Sequence, residues 1–405
     1  MDANMCMERK LVLRNDYLDY LWGWKDRTDV IKIVTGMRRC GKSTLLMQFM
    51  DRLRKKGHGD DILFLNFESK EMDGIGDYRE LNGLLDGMID PNRRAYVFLD
   101  EVHRVDSWER TMNSLSVDYD ADVYVTGSNA YMLSSELSTY LSGRYVEMNM
   151  LPLSFPEYLV LHPADPLNPI DKRFMDYMAK GALPMVDPDD GVRTDDFLKG
   201  IYSTVLRKDV STCLGLSNMG ILDGIAAFLM SNVGNVTSAA NIAKELSVSP
   251  ATVQRYLRAL EDAFLVYKSY RYDVLGKKLL KTTEKYYAAD TGMRNAILGG
   301  GMGDVGRVLE NVVFLELLRR GYDVKSGSHY GREIDFVASK GDAMEYYQVA
   351  KTVEGASTFH REVASLEKVP DNYPKTVLTM DRVFPTPPGG IRAANVIDWL
   401  MRKTG

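Results

Sequence analysis

Cysteine is scarce in this chain, with three among 405 residues. Cys6, Cys40 and Cys213 are scattered, and their spacing excludes both a zinc-binding pair and a disulfide framework. Long apolar runs are also missing, and the N-terminal stretch MDANMCMERK lacks the apolar core of a signal peptide. We therefore expect a cytoplasmic protein that is neither exported nor embedded in a membrane.

A strong charge of either sign is absent too, since the formal net charge is -5. Contact with nucleic acid would therefore require a local basic patch. The hydrophobic content of 45% and the charged content of 26% are typical of a globular protein. Because 405 residues exceed one ordinary hydrophobic core, we expect about two to four domains.

The first 165 residues alternate short apolar runs with segments of helical length. Such an alternation predicts an α/β domain with a mostly parallel sheet covered on both faces. An amphipathic helix is predicted over residues 15–28. Buried strands are predicted at residues 30–35, 62–67, 95–100, 123–128 and 145–150.

A glycine-rich loop follows the first predicted strand and has the form Gly-x4-Gly-Lys-Ser. In this strand–loop–helix context it is a P-loop, whose backbone amides surround phosphate oxygens. Lys42 is expected to reach the β- and γ-phosphates of ATP, and the Ser43 hydroxyl is expected to ligate Mg²⁺. The residues predicted to contact the nucleotide are Gly36, Met37, Arg38, Arg39, Cys40, Gly41, Lys42, Ser43 and Thr44.

Two adjacent acids end the third predicted strand, AYVFLDE. Asp100 is expected to hold Mg²⁺, directly or through water, and Glu101 to polarise the attacking water. This acidic pair favours hydrolysis over phosphorylation of a small molecule, because a kinase needs a site for an acceptor.

Three further polar residues are candidates for catalysis. Ser128 and Asn129 end the fourth predicted strand, where a side chain can bond the γ-phosphate or the lytic water; a turn at a strand end is the alternative. Arg144 precedes the fifth predicted strand and is a candidate arginine finger acting on a neighbouring subunit. The alternative for Arg144 is a surface ion pair.

Several segments taken together resemble one family. TGMRRCGKSTLL, FLDEVHRVDSWE, VTGSNAYMLSSELSTYLSGR and LPLSFPEYL resemble prokaryotic AAA-type ATPases, related to STAND signalling NTPases, that carry a C-terminal domain of unknown function. The resemblance continues through GALPMV, LRKDV, YAADTGMRNAI and GRVLENVVFLELLRRGYDV, so it covers nearly the whole chain. It implies ATP binding and hydrolysis, a winged-helix middle and a restriction-nuclease-like C-terminal fold.

The second predicted domain covers residues 166–285. It begins with helices, and residues 237–273 have the pattern of a winged helix-turn-helix. The side chains expected to face outward, toward the bases or phosphates of DNA, are Thr252, Gln254, Arg255 and Arg258. Winged helices also serve as packing or protein-contact modules, and that alternative stays open.

The third predicted domain covers residues 286–405 and has a nuclease-like layout. A nuclease of this fold brings a helix acid, a strand acid and an acid-x-Lys pair around Mg²⁺. Here Glu310 and Asp335 supply two acids, Gln348 replaces the third, and Lys351 comes one residue late. Since side chains alternate faces along a strand, that shift turns the lysine away from Asp335. We expect the fold to be kept, with a degenerate site.

These features predict a Mg²⁺-dependent ATPase whose nucleotide state regulates its winged-helix and nuclease-like domains in a DNA-related or defence-like context. One alternative is a signalling switch that hydrolyses ATP slowly and binds a protein partner or a second copy of itself. A second alternative is an ATP-dependent nuclease.

Overall fold

A computed structural model describes most of the chain, and it divides into two compact units. The first unit comprises Met1–Met150 and Glu157–Pro163, and the second comprises Leu151–Pro156 and Ala164–Gly405. Cys6, Cys213 and residues 131–142, which carry part of one motif quoted above, lie outside the described residues. The described residues are 11–130, 143–211, 218–299 and 303–402.

The first unit is built on a parallel sheet of five strands in the order β2-β3-β4-β1-β5. The central strands β1, β3 and β4 are buried at every residue, whereas β2 and β5 at the edges are partly exposed. The predicted α/β architecture and all five predicted strands are confirmed. The strands are β1 Ile31–Thr35, β2 Ile62–Asn66, β3 Ala95–Asp100, β4 Ala121–Gly127 and β5 Tyr145–Asn149.

Helices follow or precede these strands in the first unit. α3 begins with a capping box in which Asp77 and Glu80 satisfy backbone amides. α1 ends at Gly23 and is therefore shorter than the segment predicted from the sequence. The helices are α1 Asn15–Gly23, α2 Lys42–Arg54, α3 Tyr78–Asp86 and α4 Trp108–Asp118, and short 3-10 turns cover Gly59–Asp61, Lys70–Met72 and Val102–Arg104.

The remaining helices are short to medium in length. α5 is Phe155–Leu161, and α7 continues into a π-helical segment, Val205–Val210. Pro250 takes the first position of α10 after the Ser249 cap, as the sequence predicts. The other helices are α6 Ile170–Lys180, α7 Gly191–Thr204, α8 Met219–Ser231, α9 Ala239–Glu245, α10 Pro250–Asp262, α11 Thr291–Ile297, α12 Val305–Arg319, α13 Ala356–Glu367 and α14 Val396–Leu400.

The second unit contains a mixed sheet of seven strands in the order β12-β11-β10-β9-β8-β6-β7. The β6–β7 hairpin that follows α10 joins this sheet through parallel pairing of β6 with β8. The boundary expected between residues 285 and 286 therefore falls inside β7. The strands are β6 Val266–Asp273, β7 Lys278–Ala288, β8 Asp323–His329, β9 Arg332–Lys340, β10 Ala343–Ala350, β11 Lys375–Thr379 and β12 Arg392–Asn395.

The side chain of Asp290 connects two of the segments quoted above, GALPMV and YAADTGMRNAI. Its buried carboxylate accepts hydrogen bonds from the backbone amides of Ala182 at 2.7 Å and Met293 at 2.8 Å. Gly181 adopts φ 84°, and a Cβ there would lie 2.2 Å from Oδ1 of Asp290. The segments GALPMV and YAADTGMRNAI are therefore in contact at Gly181, where any larger residue would collide with the Asp290 carboxylate.

Candidate functional site

The P-loop has the backbone shape that a phosphate cradle requires. Gly36 adopts φ 141°, and a Cβ there would lie 2.3 Å from the carbonyl oxygen of Met150. Gly41 adopts φ 107° and caps α2, and Arg39 adopts φ 69° between the two glycines. Both glycines are therefore required by conformation, and Gly36 also by space.

Lys42 lies buried in the first turn of α2, with 4% of its surface exposed. Its ammonium donates hydrogen bonds to the carbonyl oxygens of Gly36 at 3.0 Å and Met37 at 3.3 Å. The same nitrogen lies 3.7 Å from Oε1 of Glu101. The lysine is thus held by the loop and directed toward the end of β3.

Asp100 ends β3 and is almost completely buried. Thr126 on β4 donates a hydrogen bond to Oδ1 of Asp100 at 2.6 Å, and the Ser43 side chain is also bonded to the carboxylate. Burial raises the pKa of Asp100 above its ordinary value, and the two hydroxyl groups oppose this rise. Asp100 and Ser43 therefore meet at one point, as the sequence predicts for a pair that shares a metal ion.

Glu101 follows in a left-handed backbone conformation, with φ 55° and ψ 40°. Non-glycine residues adopt this region rarely, and it is frequent at functional sites. Oε2 of Glu101 lies 3.3 Å from the Ser128 hydroxyl and 3.4 Å from Nδ1 of His103. Burial raises the pKa of Glu101, but the charges of Lys42, His103 and Arg38 outweigh it and leave that pKa below its ordinary value.

Ser128 and Asn129 are both buried beyond the end of β4. The Ser128 hydroxyl donates its hydrogen bond to Glu101, so this residue faces the acidic pair. The structure thus brings Lys42, Ser43, Asp100, Glu101 and Ser128 together at the carboxyl edge of the sheet, where ligands of open α/β sheets bind.

Two residues that contact this cluster were missed in the sequence. Thr126 bridges the acidic pair, since its oxygen donates to Asp100 and accepts from the Glu101 amide at 2.8 Å. His103 lies beside Glu101 in the turn after β3. The sequence carries no signal for Thr126, because its role depends on the pairing of β3 with β4. In that pairing Leu99 lies opposite Val125, and the threonine at the next position faces Asp100.

The other P-loop residues range from exposed to fully buried. Arg38 is half-buried and lies 3.8 Å from Glu68, and Arg39 is exposed. Cys40 is fully buried, and burial raises the pKa of its thiol. Its carbonyl oxygen accepts a hydrogen bond from Arg14 at 3.4 Å, and Thr44 is half-buried in α2.

Arg144 lies apart from this cluster. It is exposed just before β5, and its carbonyl oxygen accepts a hydrogen bond from the amide of Ile31 at the start of β1. The P-loop follows the other end of β1, ~13 Å away along the strand. Arg144 therefore lies at the amino end of the parallel strands, whereas Lys42 of its own chain lies at their carboxyl end.

The candidate DNA-contacting face lies on α10. Gln254, Arg255 and Arg258 are exposed, whereas Thr252 is half-buried and its hydroxyl lies 2.8 Å from that of Ser249. The apolar residues of the helix face inward, as predicted. They include Val253, Tyr256, Leu257 and Leu260.

Acidic groups lie close to this face. Oε2 of Glu261 forms an ion pair of 3.1 Å with Lys268 on β6. A cavity of about 180 Å³ is lined by these two residues together with Gln254, Arg258 and Glu284. Burial raises the pKa of Glu261 to about 7, and the charge of Lys268 opposes the rise.

A second cavity, of about 680 Å³, lies in the C-terminal part of the second unit. Glu310 on α12, Asp335 on β9 and Gln348 on β10 all line it, so the structure brings these three candidates together. Lys351 follows the end of β10, is exposed and does not line the cavity. This is the outcome that strand alternation predicts, with Ala350 buried at the preceding position.

The P-loop cluster and the C-terminal cavity differ in how they could hold a metal ion. In the described part of the chain, no group of three or more His, Cys, Asp and Glu side chains has the arrangement of a metal site. Mg²⁺ with a nucleotide needs fewer protein ligands, because phosphates and water complete its shell. Ser43 and Asp100 suffice for such an ion.

No helix among the described residues combines the length and the apolar character that crossing a bilayer requires.

Comparisons with known proteins agree with the geometry of the first unit. Residues 28–159 match the family described as AAA domain, and residues 171–302 match a domain of unknown function (DUF8612). An uncharacterized protein of Haemophilus influenzae is 38% identical over 404 residues, which cover 98% of this chain and 100% of that protein. An uncharacterized protein of Methanocaldococcus jannaschii is 28% identical over 360 residues, covering 84% of this chain and 78% of that protein.

Among solved structures, the Aeropyrum pernix ORC1 protein in complex with DNA aligns with 71% of this chain and 92% of its own chain. Its sequence identity is 12% and the TM-score is 0.33.

Proposed function

Because this chain belongs to the family of the Haemophilus influenzae protein and carries an AAA domain over residues 28–159, we propose that it is a Mg²⁺-dependent ATPase. The observation that carries the proposal is the convergence of a lysine, a hydroxyl group and two acids at one edge of the parallel sheet. Lys42 lies 3.7 Å from Glu101, and the Ser43 side chain bonds Asp100.

The residues of the P-loop and of the acidic pair fit a nucleoside triphosphate with its Mg²⁺ ion. The loop from Gly36 to Thr44 would bind the phosphates through backbone amides, and its backbone at Gly36 leaves no room for a Cβ. Mg²⁺, when bound, neutralises charge on the phosphate oxygens. Ser43 and Asp100 would hold that ion, and Lys42 would exchange its bonds to loop carbonyls for bonds to phosphate oxygens.

Glu101 is the base in this proposal. Its pKa is lowered by Lys42, His103 and Arg38 against the effect of burial, so the carboxylate stays ionised at neutral pH. A carboxylate oxygen of Glu101 would accept a proton from the attacking water, and Ser128 would hold that carboxylate in place through its 3.3 Å hydrogen bond.

Arg144 would act in trans. Its position at the far edge of the sheet separates it from the P-loop of its own chain, while its exposure leaves it accessible to a second copy. An arginine finger of this kind stabilises charge on the transferred phosphoryl group. The proposal therefore includes a homo-oligomer in which each site receives Arg144 from a neighbour.

The second unit would respond to the nucleotide state. Gln254, Arg255 and Arg258 are exposed on one helix after a short turn, an arrangement that suits DNA contact by a winged helix. The C-terminal cavity is lined by Glu310, Asp335 and Gln348 but by no lysine from β10, so a nuclease-like domain here would not cleave. The DNA-related or defence-like context of this proposal rests on analogy of fold.

A second candidate function is a signalling switch that binds a protein partner. The observation that favours it is the acidic pair Glu261 and Glu284 in the cavity next to Arg258. Acidic side chains repel the phosphates of DNA, whereas they attract a basic surface on a protein partner.

The test of ATPase activity is Lys42→Ala, with nucleotide binding and phosphate release measured in Mg²⁺. Binding and turnover should both be lost. Lys55→Ala, an exposed residue after the same helix, is the matched control and should leave both unchanged. Turnover that survives Lys42→Ala would exclude the P-loop as the site.

A further inference from the structure

Lys285 on β7 is the most buried cation of the C-terminal cavity, with 2% of its surface exposed. Its ammonium donates a hydrogen bond to Oε1 of Glu310 at 2.9 Å. It forms a second ion pair with Oε1 of Glu333 on β9. One ammonium group is thus bonded to two carboxylates from two different elements.

Asp335 completes the acidic wall around this ammonium. Its Oδ2 accepts the amide of Val349 at 2.7 Å, and the charges of Glu310, Glu333 and Lys285 all act on it. Burial and then the charge of Glu310 raise the pKa of Asp335, and Lys285 opposes them. The charge of Lys285 therefore acts on three carboxyl groups, those of Glu310, Glu333 and Asp335.

The ammonium stays charged in this surrounding. Burial lowers the pKa of Lys285, but the charges of Glu310, Asp335 and Glu333 outweigh burial and raise that pKa above its ordinary value. The hydroxyl of Tyr287 donates a further hydrogen bond of 2.6 Å to Oε1 of Glu310, the oxygen that Lys285 also contacts. Lys285 and Tyr287 therefore hold the Glu310 carboxylate in place through the same oxygen.

We propose that the Lys285 ammonium is a resident cation of this cavity, standing where a divalent metal ion would otherwise bind Glu310, Glu333 and Asp335. The ammonium already contacts carboxylate oxygens of Glu310 and Glu333, and it would repel a divalent ion bound to the same oxygens. The inference rests on the second unit alone and does not depend on the ATP site.

This assignment accounts for two observations on the cavity. The acids lie close together, yet none of the described acidic groups has the arrangement of a metal site. The lysine expected from β10 is absent, and Lys285 from the hairpin after α10 supplies the positive charge instead. Removing Lys285 should leave the acids uncompensated and create a divalent cation site.

Mn²⁺ binding, followed by electron paramagnetic resonance on the full chain without nucleotide, tests the proposal. Ser43→Ala serves as the parent, because it removes a ligand of the other candidate ion. The parent should bind no Mn²⁺ in the cavity, and adding Lys285→Met should create one bound ion per chain. Adding Asp335→Asn to that variant should abolish the new site, and Lys285→Arg, which keeps the charge, should create none.

Two results would overturn the proposal. In the first, the parent binds Mn²⁺ and the added change Asp335→Asn abolishes that binding. The cavity would then be a metal site even with Lys285 in place. The other is a folded Lys285→Met variant, checked by circular dichroism, that binds no ion. If Lys285→Met does not fold, Lys285→Gln removes the positive charge while it keeps a hydrogen-bond donor and all three acids. Its Tm should rise with Mn²⁺ while that of the parent does not, and an equal response would refute the idea.

Discussion

Thr126 donates a 2.6 Å hydrogen bond to Oδ1 of Asp100, the buried acid at the end of the neighbouring strand. The same oxygen accepts the amide of Glu101 at 2.8 Å. One hydroxyl group on β4 therefore fixes both the acid assigned to the metal and the backbone of the acid assigned to the water. Thr126 is a positioning residue, because it acts through these two acids.

Replacing Thr126 by valine should slow ATP turnover by about tenfold, equal to roughly 1.4 kcal/mol, because a buried hydrogen bond to each acid is lost. The dissociation constant for ATP should change much less, since no P-loop atom is altered. Thr126→Ser keeps the hydroxyl and should restore most of the rate. Equal rates in the wild type and the valine variant would show that the bridge does not matter for turnover.

Arg144→Ala should reduce ATP turnover by about 1,000-fold, as expected for loss of an arginine finger. Mixing this variant with Glu101→Gln should recover part of the activity, because a mixed assembly can contain a site with Glu101 from one chain and Arg144 from the next. Steady-state phosphate release from the mixture is the measurement. Wild-type turnover in Arg144→Ala alone would place Arg144 outside catalysis, and a mixture no more active than its inactive parts would exclude its action on a neighbouring chain.

The paired change of Arg255 and Arg258 to alanine should weaken binding to double-stranded DNA. If each guanidinium neutralises one phosphate, the slope of log affinity against log salt should fall by about 1.8 in magnitude. Fluorescence anisotropy at several salt concentrations measures this slope. Arg193→Ala is the control, since that side chain is 90% exposed and lies on α7 of the same unit rather than on α10. An unchanged slope would favour the protein-partner alternative.

Glu261 should make stability depend on pH. Burial raises its pKa in the folded chain to about 7 from an ordinary value of 4.5, so the protonated form is favoured by folding. Its contribution is fully present below pH 4.5 and is lost as the pH rises through 7. Between about pH 5.5 and 8 the wild type should lose roughly 2 kcal/mol of unfolding free energy relative to Glu261→Gln.

Denaturant unfolding of the two proteins at several pH values checks this difference. Lys268, Glu284, Asp262 and Arg258 also act on this region, and all four are present in both proteins. The difference between the two curves therefore isolates Glu261. Parallel curves would mean that this carboxyl group titrates near its ordinary value.

The first unit could be predicted well because its central strands β1, β3 and β4 are buried on both faces. β3 is buried along all six residues and reads as an unbroken apolar run, so the strand and its terminal acids were visible together. The P-loop was visible for a related reason, because its glycines, lysine and serine all lie between positions 36 and 43 of the sequence. What the sequence lacked was the neighbour of each strand, and Thr126 was overlooked for that reason.

The C-terminal cavity was only partly predictable. Glu310, Asp335 and Gln348 were identified because each lies on an element with its own pattern. Lys285 was not identified, because it lies 25 residues before Glu310 and meets it only through tertiary packing. β8 was missed as well, since DVKSGSH is polar and short and is stabilised by strands on both sides.

The most direct test of the ATPase assignment separates nucleotide binding from hydrolysis at Glu101. In Glu101→Gln the P-loop, Lys42 and Asp100 remain, and the amide keeps the size of the carboxylate while losing its basicity. The variant should bind ATP and Mg²⁺ as tightly as the wild type and should hydrolyse a single bound ATP at least about 100-fold more slowly. Hydrolysis at the wild-type rate by this variant would contradict the account.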